Sequence, residues 1–117
     1  VGVRPVDAVG RLSPELVASA LAEHGASVAL VSLLWANNEV GTIQDVVALA
    51  AVARAADVPV PVDAVAAYGY LPLSFAEVGA DALVLRQPGF QHRRQQSIEG
   101  GDAALGDGAV VLGTRGR

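Results

Sequence analysis

Residues 28–41, VALVSLLWANNEVG, decide the fold predicted for this chain, because an uncharged apolar run stops there in two asparagines, a glutamate and a glycine. A short apolar run bounded by turn residues is typical of a fully buried strand in a parallel sheet. Ligands of open α/β sheets bind in the crevice at the carboxyl ends of such strands. We therefore expect a buried strand from Val28 and a ligand-binding edge near Asn37 and Asn38.

A helix and a second strand follow this run. Apolar residues recur at helical spacing over about 45–56, and the next apolar segment, 58–62, ends at Asp63. Strand, helix and strand in this order imply a right-handed βαβ unit and a parallel sheet. Asn37, Asn38 and Asp63 are then expected at the same carboxyl edge.

Further segments of the chain carry shorter patterns. Ser13 and Pro14 fit an N-cap and a first helical residue, whereas Pro61 is expected to weaken the second strand because it removes a backbone donor. From Arg86 onward, Gln, Arg and Gly without a period indicate loop or disorder, except for one last strand. The elements expected are a short strand and turn over 1–12, a helix over about 14–24, a helical turn over 74–78, and strands over 81–85 and 109–112.

Composition bounds the class of protein. The 117 residues suffice for one domain, and 52% hydrophobic against 17% charged residues excludes disorder by composition. The apolar run between Gly25 and Glu39 is too short to span a bilayer, so no membrane partner is expected. No basic leader and no cysteine are present, which makes the cytoplasm the default location. The arginines of 86–117 lack interleaved aromatic residues, so nucleic-acid binding is not favoured.

Few residue types suited to catalysis or metal binding are present. His24 and His92 have no partner at metal-ligand spacing, so no metal site is predicted. Trp35 could line a pocket, although packing is favoured. From spacing alone, a turn at the two asparagines and a cap at Asp63 are the favoured interpretation. The alternative is a site in which the carboxylate of Asp63 holds a protonated ring nitrogen and an amide donates to a phenolate-type oxygen.

A specific sequence motif favours the second of these interpretations, the site. Residues 26–85, which include LVSLLWANNEVGTIQDV, LAAVARAADVP and VDAVAAYGYLPLSFAEVGADALVL, resemble the cysteine desulfurases, pyridoxal-phosphate enzymes of the class V aminotransferase superfamily. The resemblance implies an α/β fold, a fragment of the three-layer αβα large domain of fold-type I pyridoxal-phosphate transferases with a mainly parallel sheet. Residues 1–85 would form this partial domain, and 86–117 a diverged or poorly ordered tail with one possible strand.

The resemblance also implies a cofactor, partners and two residue roles. Asn38 would hydrogen-bond the phenolic oxygen of pyridoxal phosphate, and Asp63 would pair with its pyridinium nitrogen. The family transfers sulfur from L-cysteine, giving alanine and a persulfide that feeds iron–sulfur cluster assembly and other sulfur acceptors. Its members are homodimers.

The sequence departs from the family pattern where the chemistry is expected. Ala66 replaces a glutamine, and Arg86 to Gly89 replace Ser-Gly-His-Lys, so that Gly89 stands at the Schiff-base lysine position. An arginine guanidinium cannot substitute for that amine, and the chain has neither lysine nor cysteine. We therefore predict no catalytic residue, no covalent cofactor binding and no activity of this chain alone. A non-catalytic α/β binding module and a non-functional remnant are the alternatives.

Overall fold

The computed structural model describes residues 5–86 and the backbone of two later segments, 103–106 and 109–112. No helix in these parts of the chain is long and apolar enough to cross a membrane. In chain order, the elements are α1 (Pro14–His24), a 3₁₀ turn (Gly25–Ser27), β1 (Leu33–Leu34), α2 (Val46–Ala55), β2 (Pro61–Asp63), α3 (Phe75–Val78), β3 (Ala82–Arg86), β4 (Ala103–Gly106) and β5 (Ala109–Leu112).

The described strands form one sheet in the order β1-β2-β3-β5-β4. β1, β2 and β3 are parallel, and Asp63 of β2 is the register partner of Leu34 in β1 and Val84 in β3. β5 runs antiparallel to both β3 and β4. The parallel part confirms the predicted α/β class and the strand–helix–strand unit.

The helices begin where the sequence predicts, because their caps are local features. Ser13 accepts a hydrogen bond from the Leu16 N–H at 3.1 Å, with Pro14 as the first helical residue. Asp45 accepts from the Ala48 N–H at 3.1 Å and starts α2. Each cap satisfies a donor that the first helical turn leaves without an intrahelical partner.

The core lies between the helices and one face of the sheet. Leu33, Val62 and Leu83 share a row on that face and are buried, whereas the next row, with Leu34 and Asp63, is exposed or half-buried. The described residues therefore supply the sheet and one helical layer of the αβα architecture. The helical residues in the same core cluster are Val17, Leu21, Val46, Leu49, Ala50, Ala53, Phe75 and Val78.

β1 is shorter and more exposed than predicted. The run from Val28 was expected to be a fully buried strand, but the ladder covers only Leu33–Leu34, and the Leu30 and Leu34 side chains remain 52% and 45% exposed. β1 is an edge strand of the described sheet, and the described helices cover a single face. The prediction of full burial is therefore wrong.

Pro61 explains where the β1 ladder begins. The Val31 N–H donates to the Pro59 carbonyl oxygen at 2.9 Å. In a parallel ladder the reciprocal bond to the Val31 carbonyl would come from the N–H of residue 61, and proline has none. The weakening expected from Pro61 thus falls on the pairing between β2 and β1.

Three further expectations concern the ends of the chain. Within 5–12 the expected strand is absent, and the predicted turn is closed by the Asp7 N–H, which donates to the Arg11 carbonyl at 2.9 Å; residues 1–4 lie outside the described residues. The last strand, Ala109–Leu112, is confirmed. β4 was expected to be loop or disorder, and its pairing with β5 shows that this expectation is wrong.

Candidate functional site

Asp63 lies at the carboxyl end of β2, between β1 and β3. The Trp35 N–H donates to its backbone carbonyl at 2.8 Å, which ties the residue after β1 to the end of β2. The half-buried Asp63 side chain accepts one hydrogen bond at Oδ1, from the Val65 N–H at 3.0 Å. Within the described part of the chain, Oδ2 accepts none. One carboxylate oxygen therefore shapes the following turn, and no described residue donates to the other.

Asn37 organises the turn that follows β1. Its Oδ1 accepts from the N–H groups of Glu39 and Val40 at 2.9 and 3.3 Å. Its backbone carbonyl accepts from the Gly41 N–H at 2.8 Å, and its N–H donates to the Thr42 carbonyl at 2.9 Å. These bonds close the turn on itself, as expected for an asparagine that mimics a backbone turn. Asn37 therefore has a structural role.

Asn38, in contrast, has an exposed side chain that forms no hydrogen bond with any of the described residues. It lies in the turn after β1, whose last residue, Leu34, is in register with Asp63. Since β1 and β2 are parallel neighbours, their carboxyl ends lie at the same edge of the sheet. Asp63 lies at this edge, and Asn38 lies in the turn that follows it.

Two polar residues that support this turn were not predicted from the sequence. Gln44 donates from Nε2 to the Gly10 carbonyl at 2.7 Å and accepts at Oε1 from the Leu12 N–H at 2.9 Å. Thr42 donates from Oγ1 to the Val9 carbonyl at 2.6 Å. We call these three bonds the Thr42–Gln44 clasp. The signal that was available is the i, i+2 spacing of two hydrogen-bonding side chains after a turn, which places both on one side of an extended segment.

The remaining candidates lie away from this edge or outside the described residues. Trp35 is 8% exposed and belongs to the core, which confirms the packing role. His24 ends α1 with an exposed side chain whose Nε2 lies 3.8 Å from a Glu23 carboxylate oxygen. The described residues contain no group of three metal-ligating side chains. Of the four positions after the third strand, Arg86 ends β3, and 87–89 lie outside the described part.

A hollow of about 1170 Å³ runs along β1 on the side away from β2. Apolar residues such as Leu21, Val31 and Leu33 line most of it, and Asn37 and Gln44 also contribute to its wall. Neither Asn38 nor Asp63 lines it. The hollow is thus an uncovered apolar edge, separate from the polar edge at the carboxyl ends of the strands.

Comparison with solved structures defines the class of fold. The chain superposes on a NifS-like protein from Rickettsia africae with a TM-score of 0.69 and 25% identity, over 93% of this chain and 27% of that one. Pyridoxamine-pyruvate aminotransferase from Mesorhizobium loti gives a TM-score of 0.65 at 22% identity, over 90% of this chain and 24% of that one. This is the fold of the fold-type I pyridoxal-phosphate-dependent aminotransferases.

Sequence comparison then gives the family. The aminotransferase class-V family model matches residues 1–86, so the chain belongs to that family. An IscS-like cysteine desulfurase from Mycobacterium tuberculosis is 44% identical over 79 residues, 68% of this chain and 20% of that protein. A cysteine desulfurase from Sinorhizobium fredii is 43% identical over 81 residues, 69% of this chain and 20% of that protein. The resemblance to cysteine desulfurases is confirmed, and the chain spans about a fifth of the length of these curated relatives.

Proposed function

We propose that this chain carries the ring-binding part of the pyridoxal-phosphate site of a cysteine desulfurase. By its family, an active enzyme with this site is a cytoplasmic homodimer that takes sulfur from L-cysteine and passes it to acceptor proteins. Identity to named cysteine desulfurases supports this substrate class. The 117 residues alone have neither a lysine for covalent attachment nor a cysteine to carry sulfur, so we propose that they are inactive by themselves.

The observation that carries the proposal is the open carboxylate oxygen of Asp63. This residue ends the middle strand of the three parallel strands, and its Oδ2 accepts no hydrogen bond from the described residues. An ionised carboxylate there would form a charge-assisted hydrogen bond to a protonated pyridine nitrogen. That bond would keep the ring protonated, and the protonated cofactor would supply the electron sink that the chemistry of the family needs.

Asn38 supplies the second contact. Its amide, exposed and free of hydrogen bonds within the described chain, would donate to the phenolic oxygen of the ring. The pair of a donor, the Asn38 amide, and an acceptor, the Asp63 carboxylate, therefore suits the phenolic oxygen and the protonated nitrogen of the cofactor ring. It does not fit covalent attachment, because glycine stands at position 89.

Titration with pyridoxal 5′-phosphate tests this function, with the fluorescence of Trp35 as the signal because its backbone is bonded to Asp63. Saturable quenching is expected, and Asp63→Ala should weaken binding by about tenfold or more because a charge-assisted bond is lost. Asn38→Ala should weaken it less. Glu15→Gln removes one exposed carboxylate from the first turn of α1 and should leave binding unchanged.

Unsaturable quenching in the unmodified chain would overturn the proposal, as would equal affinity in Asp63→Ala. Borohydride treatment followed by peptide mass spectrometry checks the covalent part. No side chain should gain a pyridoxyl group, since the sequence contains no lysine.

A further inference from the structure

We infer that Gln44, together with Thr42, is a positioning residue that fixes the turn carrying Asn38 against the segment before α1. This inference rests on the proposed function for its link to the cofactor. Its structural part stands on the Thr42–Gln44 clasp alone.

The clasp joins parts of the chain that are far apart in sequence. Gln44 uses both ends of its half-buried amide, donating to the Gly10 carbonyl and accepting from the Leu12 N–H, which lie 34 and 32 residues earlier. Its own N–H donates to the Trp35 carbonyl at 2.8 Å. Gln44 is therefore fixed to the end of β1 through its backbone and to the segment before α1 through its side chain.

The segment that receives the clasp is also shaped by hydrogen bonds of its own. The Asp7 carboxylate accepts from the N–H groups of Val9 and Arg11 at 2.9 and 2.8 Å, which folds the segment into a turn. Gly10 has φ of +80°, and a Cβ there would meet the Thr42 hydroxyl oxygen at 2.9 Å. Only glycine adopts this conformation without strain and also allows such a close approach.

The clasp acts on Asn38 and leaves Asp63 untouched. Asp63 is held by the ladder between β1, β2 and β3. Asn38 lies in a turn whose internal bonds come from Asn37 and whose closing end is held by Thr42 and Gln44. Loss of the clasp should therefore release the Asn38 amide and leave the carboxylate in place.

Amide hydrogen exchange, followed by nuclear magnetic resonance on the full chain, tests the structural part. In Gln44→Met and Thr42→Val, exchange at Glu39 to Gly41 should accelerate by about tenfold, because turn bonds open more often. The Ala64 amide, bonded to the Val84 carbonyl in the sheet, should be unchanged. Thr42→Ser keeps the hydroxyl donor and should exchange like the unmodified chain.

Pyridoxal 5′-phosphate affinity tests the link to the cofactor. Gln44→Met should weaken binding several-fold when Asn38 is present, and should have no further effect in an Asn38→Ala background, because both changes remove the same contact. Additive effects of the two substitutions would overturn the positioning role.

Two controls keep the outcomes separate. Val78→Ala weakens the core away from the clasp and should accelerate exchange across the whole molecule rather than in the turn. Exchange in Gln44→Met that resembles this general pattern would overturn the inference. If the unmodified chain does not bind pyridoxal 5′-phosphate, the proposed function fails, while turn-selective exchange still decides whether the clasp positions the turn.

Discussion

At the scale of single residues, the two adjacent asparagines have different tasks. Asn37 satisfies two turn N–H groups, so Asn37→Ala should lower the free energy of unfolding by about 1–2 kcal/mol. Asn38 is exposed and makes no hydrogen bond within the described chain, so Asn38→Ala should change that free energy by less than about 0.5 kcal/mol. Urea unfolding of both variants measures the difference, and a larger loss in Asn38→Ala would assign its side chain to stability instead of ligand binding.

Single residues also show which parts of the candidate site can be predicted from the sequence alone. The positions of Asn38 and Asp63 after apolar strands were predicted because strand ends are marked in the sequence by a change from apolar to polar residues. Their expected roles toward the cofactor came from the family resemblance. Gln44 was not predicted, because its partners lie more than 30 residues earlier in a segment without regular structure. No local pattern specifies a contact of that kind. The residues proposed to contact a ligand were thus easier to predict than the residue proposed to position one of them.

At the scale of elements, replacing Pro61 or Pro59 by valine should have opposite results for hydrogen exchange at the new amide. Pro61→Val would supply the missing donor to the Val31 carbonyl, so the new amide at 61 should be protected from hydrogen exchange. Pro59→Val adds a donor on the same side, but no described residue before Val31 is hydrogen-bonded to this strand, so the new amide at 59 should exchange freely. Equal exchange at the two new amides would contradict the account of why β1 begins at Leu33.

Helices and strands also differ in how far sequence predicts them. α1 and α2 were predicted within a residue or two, because caps such as Ser13 and Asp45 act within the first turn. β1 and β4 were not, because a strand depends on partners elsewhere in the chain. β1 is shorter than predicted because Pro61 in the neighbouring strand has no N–H to donate. β4 pairs with β5 although its sequence shows no alternation of apolar and polar residues.

The middle helix, α2, offers a test of the core on one face. Leu49 is fully buried in the single core cluster, so Leu49→Val should lower the free energy of unfolding by about 1–2 kcal/mol. Val47 is on the same helix but 49% exposed. Val47→Ala should cost less than about 0.5 kcal/mol because alanine has the higher helix propensity. Chemical denaturation followed by circular dichroism compares the two, and equal losses would contradict the assignment of the buried face.

At the scale of the whole molecule, the described chain combines one core with one uncovered sheet face. Every buried apolar residue among those that the structure describes belongs to the same cluster, which includes residues from the three described helices and from β1, β2 and β3. The opposite face, with Leu34 and Asp63, has no described helix over it. A chain that spans about a fifth of its relatives therefore still encloses a continuous core, and no described helix covers the edge that we propose holds the cofactor ring.

This arrangement predicts cooperative unfolding. A measurement of that cooperativity distinguishes a folded module from a non-functional remnant. Trp35 reports on the core beside β1, and far-ultraviolet circular dichroism reports mainly on α1 and α2, so thermal unfolding by the two signals should coincide. Leu49→Val should shift both midpoints down together, because α2 residues and Trp35 share one core. Separate transitions, or rapid exchange throughout including residues 28–34, would favour the remnant. In that case saturable binding at Asp63 is not expected, since the carboxylate is held in place by the strands on either side of it.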